Sequence, residues 1–284
     1  MANESSYSDI TSLIGNIYEG ALLAARENDV MSSLVTVINE AGNSQPRIWS
    51  TYSGGTFATI TEATDMTSQA FTPTLAGTIT KTMYGSQYFL TDLRISGDTQ
   101  NVVRDAASYI GGEAGEHIDK NLVGLFSSLT GGTVYGGGTS NVGGTLTWAN
   151  IFRAQAYARA AKIKGRYSVV LRPEQWYYLT SATSGVPTLM QNTNIAEAII
   201  GGFYQASFSN LDFYTDANLT SGTACVAGMF GREAIELVIA RALRIEQQRD
   251  GSRGGGGWEA NATMQYGYGA KRPTYGVQLI GTSA

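Results

Sequence analysis

One long helical signal constrains everything that can be built around it. From Asp98 to Leu129, apolar residues recur at Val103, Ala107, Ile110, Ala114, Ile118, Leu122, Leu125 and Leu129. That spacing of three to four marks one face of a helix, and Asp98 is a good N-cap. The segment predicts a rod of about 48 Å. Gly111, Gly112, Gly115 and Gly124 lie within it, and each costs about 1 kcal/mol relative to alanine. Propensity alone does not keep such a helix straight, so packing must.

The stretch before the helix, residues 47 to 95, has the opposite character. Threonine dominates and helix formers are sparse. From Thr74 to Tyr84, Thr74, Ala76, Thr78, Thr80 and Thr82 alternate with Leu75, Gly77, Ile79, Lys81 and Met83. A period of two reads as a strand. Phe57 to Thr61 is its expected partner, with a polar stretch, Glu62 to Pro73, between them. A two-stranded hairpin is marginal in water by itself, so this one is expected to lie on a neighbouring subunit. Composition points the same way. Charged residues are 15% of the chain, against about 25% in an average soluble protein. A surface so short of charge tends to be covered, often by another copy.

The rest of the chain reads as mixed α+β. Residues 7 to 40 have helical spacing through Leu13, Ile14, Ile17, Ala21, Ala24 and Ala25, then through Met31, Leu34, Val35 and Ile38. Asn39 to Pro46 is a turn. Thr130 to Thr145 is a glycine-rich connector without the Gly-Lys-Ser/Thr ending of a phosphate loop. Helices are expected at 147 to 164, 174 to 180 and 194 to 201. Strands are expected at Tyr167–Leu171, Leu211–Tyr214 and Ala224–Phe230. The pattern from Ala234 is ambiguous, becoming a strand over Leu243–Arg249. Gly251 to Gly257 is a flexible tip, and Trp258–Tyr268 and Tyr275–Ile280 are closing strands.

Several function classes fall away. One cysteine, Cys225, and one histidine, His117, leave no intrachain disulfide framework and no His-rich metal site, so neither a metal nor a cofactor is expected. No apolar run approaches the roughly 18 residues that span a bilayer, and residues 1 to 12 do not read as a secretory signal. No membrane contact is expected. His117 with Cys225 as a nucleophile pair, and Glu113, Glu116 and Asp119 as acid–base carboxylates, are the enzymatic options. The alternative readings are an edge histidine, a small buried hydrophobe and a solvated or subunit-facing helix edge. No catalytic residue is assigned. Residues 1 to 100 carry four basic and ten acidic side chains, whereas 101 to 200 carry eight and six. That split suits subunit contacts better than a basic nucleic-acid groove. Within the middle third, Arg159, Lys162 and Arg166 form one helical stripe among Arg153, Lys164 and their neighbours. The stripe either faces nucleic-acid phosphates without reading bases or pairs with acids on a neighbour. The 16 tyrosines suit subunit interfaces, where an apolar ring and a polar tip are both useful.

In order along the chain come an N-terminal arm, the threonine-rich loop ending in Tyr84-Gly85 and Leu90-Thr91-Asp92, and the long helix. Val169-Val170-Leu171-Arg172-Pro173 follows, with Trp176 and Leu179 behind it. Next come Ala224 to Phe230, Gly231-Arg232-Glu233-Ala234-Ile235, Tyr266-Gly267, and Arg272-Pro273-Thr274-Tyr275-Gly276-Val277. This order resembles the major capsid proteins of tailed double-stranded DNA bacteriophages, the Hong Kong 97-like capsid fold.

The resemblance implies an N-terminal arm over 1–46 and an extended β-hairpin loop over 47–95. It implies a peripheral domain over 96–164 and 233–284, with the long helix as its spine, and an axial domain over 165–232. It further implies self-assembly into pentamers and hexamers that close an icosahedral shell around packaged double-stranded DNA, and a change of shape on maturation. Phe57, Ile60, Ile79, Lys81, Met83, Arg249 and Arg253 are the expected inter-subunit contacts, with Arg249 and Arg253 at the tip where three capsomers meet. Arg159, Lys162 and Arg166 would face DNA. Some members join subunits through a lysine–asparagine bond. Lys81 is the one lysine of the loop, and no crosslink is assigned. Residues 1–46 are too short for a fused scaffold, so a separate scaffolding protein, a portal and a cementing protein are the expected partners, with assembly in the bacterial cytoplasm. The alternatives are an encapsulin-type compartment shell, told apart by enzyme cargo instead of DNA, and a β-rich phage tail or surface protein.

Overall fold

A computed structural model describes residues 29–52, 57, 59–63, 65–66, 68–70, 72–97, 102–137, 144–163, 165–181, 204–252 and 255–283. The first part of the helix expected over 7–40, up to residue 28, the helix expected at 194–201 and the Asp98 cap lie outside these residues.

Two sheets carry the molecule. The first has four strands in the order β1 (Thr36–Asn39), β10 (Ile235–Asp250), β11 (Gly257–Ala270) and β4 (Thr82–Thr91). The second has six, in the order β5 (Thr133–Tyr135), β12 (Gly276–Gly281), β9 (Cys225–Phe230), β6 (Tyr167–Leu171), β8 (Leu211–Thr215) and β7 (Tyr204–Phe208). A separate two-stranded ribbon pairs β2 (Arg47–Tyr52) with β3 (Pro73–Ile79).

The long helix is α2, Val102–Gly124, after a short α1, Asp92–Gly97, and it tightens into a 3₁₀ turn at Leu125–Ser128. Its apolar face is the expected one. Ala107, Ile110, Ala114, Leu122 and Leu129 are buried. Its N-terminal half lies on Leu90, Ile245, Ala260 and Ala262 of the four-stranded sheet. Its C-terminal half joins a core with Met31, Val35, Phe230, Ile235 and Tyr266. Two further helices, α3 (Trp148–Ala160) and α4 (Pro173–Ser181), belong with the six-stranded sheet. Trp148, Ile151, Leu179, Phe213, Met229 and Val277 fill that core.

Five sequence expectations change. Ile38, given helical spacing with Met31, Leu34 and Val35, lies in β1, which pairs in parallel with β10 from Thr36↔Glu236 to Asn39↔Ile239. Three consecutive β-branched residues, Thr36, Val37 and Ile38, disfavour helix, and their partner lies about 200 residues away. The alternation from Thr74 to Tyr84 is two strands, because β3 pairs with β2 whereas β4 pairs with β11. Phe57 and Thr59–Thr61 form no ladder, and the true partner of β3 is Arg47–Tyr52. The glycine-rich connector holds β5, a three-residue strand beside β12. Finally, the ambiguous stretch after Ala234 is one 16-residue strand with register shifts between Ile239 and Arg244. Bulges bend and twist a strand. Here the irregularity divides a buried half, Ile235–Ala240, from a largely exposed one.

Two glycines on β11 set how closely the ribbon approaches the four-stranded sheet. A Cβ on Gly267 would sit 2.6 Å from the Thr80 carbonyl oxygen, and one on Gly269 would sit 2.9 Å from Ile79 Cγ1. Ile79 is buried there, so the base of the ribbon is docked on its own subunit.

Candidate functional site

The ribbon leaves the body through a cluster of charges. Glu236 of β10, whose side chain is fully buried, accepts Arg47 Nε at 2.5 Å and Lys271 Nζ at 2.5 Å. Glu40, just after β1, accepts Arg47 Nη1 and, at 2.5 Å, Lys81 Nζ. Lys81 also donates to the Asn43 carbonyl at 2.8 Å. The hydrogen bonds from Lys81 and Arg47 hold the Glu40 carboxyl below its usual range. Thus β1, β2, β10, the β3–β4 turn and the chain after β11 are tied at one point. Beyond it the ribbon is bare. Ile48 and Leu75 are each 63% exposed, Met66 is 77% exposed, and Phe57 and Ile60 are open to solvent.

The expected contact residues divide accordingly. Phe57, Ile60 and Met83 are exposed. Ile79 and Lys81 are buried inside their own subunit, which corrects their placement at an interface. Strand alternation put them on the same face as Met83, and the break at Thr80–Lys81 turns them inward. Arg249 reaches across to Asp92 at 2.7 Å and lies 5.4 Å over the Trp258 ring. Arg253 lies outside the described residues.

The enzymatic options do not assemble. His117 Nδ1 is 2.7 Å from Tyr266 Oη, which also receives Asn121 Nδ2 at 2.7 Å. Cys225 is buried in β9, where desolvation pushes its thiol pKa up, opposite to what activates a thiolate. Glu113 accepts the Ser86 and Tyr88 hydroxyls, and Glu116 pairs with Lys120. Asp119 is not on the helix edge with them but fully buried. Its Oδ1 accepts the Val30 and Met31 amides at 3.0 and 2.8 Å, and its Oδ2 accepts Asn218 Nδ2 at 2.8 Å. Buried Asp216 lies against it. Desolvation first, then the Asp216 carboxyl, pushes the Asp119 pKa up to about 7. This pair went unread in the sequence. Among the described residues no cluster of His, Cys, Asp and Glu has the arrangement of a metal site, and no helix is long and apolar enough to cross a membrane.

The phage capsid protein family model matches residues 73–279. The chain belongs to the phage capsid protein family. The capsid protein has the Hong Kong 97-like fold and builds the icosahedral shell of a virion. Solved structures share this fold at low identity. The capsid of Ralstonia phage GP4 is 14% identical with a TM-score of 0.69, covering 91% of this chain and 92% of the other. A structure from Mycobacterium phage Che8 is 15% identical with a TM-score of 0.69, covering 88% and 90%. A virus-like particle from Pyrococcus furiosus is 11% identical with a TM-score of 0.60, covering 94% and 98%. No curated protein matches the sequence. The tail-protein alternative loses its ground, since the family and the fold are those of shells. The expected helical stripe does not form, because α3 ends at Ala160 and Lys162 turns to φ 57°; Arg159, Lys162 and Arg166 are nonetheless all exposed, and Arg166 pairs with Asp212 at 3.1 Å. Lys164 lies outside the described residues.

Proposed function

We propose that this capsid protein works entirely through interfaces: rings of five and six subunits close a shell around packaged double-stranded DNA, and no step is catalytic. The observation that carries the reading is the bare ribbon, whose large apolar residues have nothing to cover them in one subunit. Head-to-tail contacts close into rings when the rotation permits. In this reading residues 1–46 are the arm, the ribbon and its loop within 47–95 reach over a neighbour through Phe57, Ile60 and Met83, and 165–232 form the axial domain at the ring centre. Residues 96–164 and 233–284 form the peripheral domain, and the tip with Arg249 and Arg253 meets its counterparts between rings. Arg159, Lys162 and Arg166 face the DNA. A separate scaffolding protein, a portal and a cementing protein complete the particle, which assembles in the host cytoplasm.

The test is electron microscopy of the protein expressed alone and of native particles. Uniform round shells, or five- and six-membered rings, with DNA inside native particles are expected. A dispersed monomer under both conditions overturns the reading. Shells holding an enzyme and no DNA favour the compartment alternative.

A further inference from the structure

A groove of about 670 Å³ opens where the ends of four segments meet. Lys162 and Arg166 follow α3, Arg232 follows β9, Arg272 follows β11, and Leu34 with Thr36 comes from the start of β1. Four cations line it against one carboxylate, Glu233, in a chain whose net charge is -4. Arg272 holds Glu233 at 2.7 Å, and Arg166 holds Asp212 just outside the groove. Arg232 donates its Nε to the Val35 carbonyl at 3.3 Å. Among the described residues neither Lys162 nor Arg232 has a carboxylate partner. Lys162 also sits at φ 57° in the turn that ends α3, a position that favours glycine or asparagine. A lysine held there puts an ammonium where a helix end would otherwise have none.

We propose that this groove is where the subunit holds the phosphodiester backbone of nucleic acid. It takes phosphates without reading bases, because a cationic groove recognises charge that every sequence presents. Three guanidinium forks beside one ammonium suit non-bridging phosphate oxygens. Arg159, on α3 itself, does not line the groove. The inference rests on the shell reading above only in expecting nucleic acid as the partner.

The experiment titrates full-length unassembled subunits with a fluorescent random duplex of about 20 base pairs, between about 50 and 200 mM salt. Binding is expected to fall with a log–log slope near -3, and Lys162→Ala with Arg232→Ala should make the slope shallower by about 2. At the lower salt the double variant should lose roughly 10- to 100-fold in affinity, the same for any sequence. Arg244→Ala, which removes an exposed cation away from the groove, should leave the slope unchanged. Circular dichroism confirms that each variant is folded, and Lys162→Gln alone, a mild exposed change, should still remove about one unit of slope. Wild-type shells whose subunits bind no duplex, or a double variant with an unchanged slope, overturn the groove and leave the shell reading standing. If the double variant blocks assembly yet binds duplex normally, the groove takes an acidic segment of a neighbouring copy and the proposal is wrong. A wild type that forms no shell sinks the shell reading alone.

Discussion

Asp119 shows how one side chain can join parts of the chain remote in sequence. Its two oxygens hold the amides of Val30 and Met31 and the amide side chain of Asn218. Asp216 Oδ1 accepts the Asn218 amide at 2.8 Å, but its Oδ2 is buried with no donor. Desolvation first, then the Asp216 carboxyl beside it, raises the Asp119 pKa to about 7, and a protonated Asp119 shares its hydrogen with that oxygen. The sign of the pH effect follows. The folded chain binds this proton up to about pH 7, whereas an unfolded aspartate releases it near about pH 4. Stability therefore falls as pH rises through that window, by an amount on the order of 2–4 kcal/mol. Burial raises the Asp29 pKa beside it, with the same sign. Asp216→Asn replaces the shared proton with a permanent N–H donor. Urea unfolding from pH 5 to 8 should show a shallower pH slope for Asp216→Asn than for wild type and greater stability at pH 8. Equal slopes would mean that no proton is shared. The sequence hid this pair. Glu113, Glu116 and Asp119 are spaced by three, but at 100° per residue Asp119 lies about 120° around the helix from Glu113, on the core side. Its partner, Asp216, is far along the chain.

At the scale of elements, local pattern found what local contacts build. The long helix, β6, α4, β9 and β12 stand close to where periodicity placed them. The misreadings share one cause, pairing to a distant segment. β1 is a strand because β10 offers it an edge, and β3 separates from β4 because their partners lie in different sheets. A lone lysine in the alternating run was the available signal, since Lys81 is buried against Glu40 at that break. The cluster at the ribbon base is thus the element-scale joint. Glu236 is its buried anion, while Arg47 and Lys271 each keep 29% of their side-chain exposure. Removing one partner of a buried pair typically costs about 3–5 kcal/mol, and this partial exposure places the cost near the lower end. Glu236→Gln should therefore lower unfolding stability by about 3 kcal/mol. Gly267→Val should free the ribbon instead, because its Cβ meets the Thr80 backbone. The readout is protease cleavage after Arg47, which should accelerate in Gly267→Val before global unfolding. Cleavage no faster than wild type would show that the ribbon does not depend on this contact.

At the scale of the whole molecule, the low charge content and the order of segments made the shell legible, although no single motif did. Among the described residues, the cores are filled from within the subunit, while Ile48, Phe57, Ile60, Met66 and Leu75 of the ribbon and loop are exposed. Substitutions there should separate assembly from folding. Surface changes away from buried features usually alter stability by no more than about 0.5 kcal/mol, and Phe57, Ile60 and Met66 are exposed. Each large apolar side chain that a neighbour fully covers contributes about 1.5–3 kcal/mol, and about 1.4 kcal/mol is tenfold in an equilibrium constant. Phe57→Ser should therefore leave the melting temperature of the unassembled subunit within a degree or two, yet raise the concentration needed for shells at least about tenfold. Adding Ile60→Ser and Met66→Ser should raise it further. Because the lost term is apolar burial, the threshold ratio of variant to wild type should change little with salt. Sedimentation across a dilution series measures both quantities. An unchanged threshold in the triple variant would leave the exposed loop without a role in assembly and move the search for the covering contact to Ile48 and Leu75 on the ribbon.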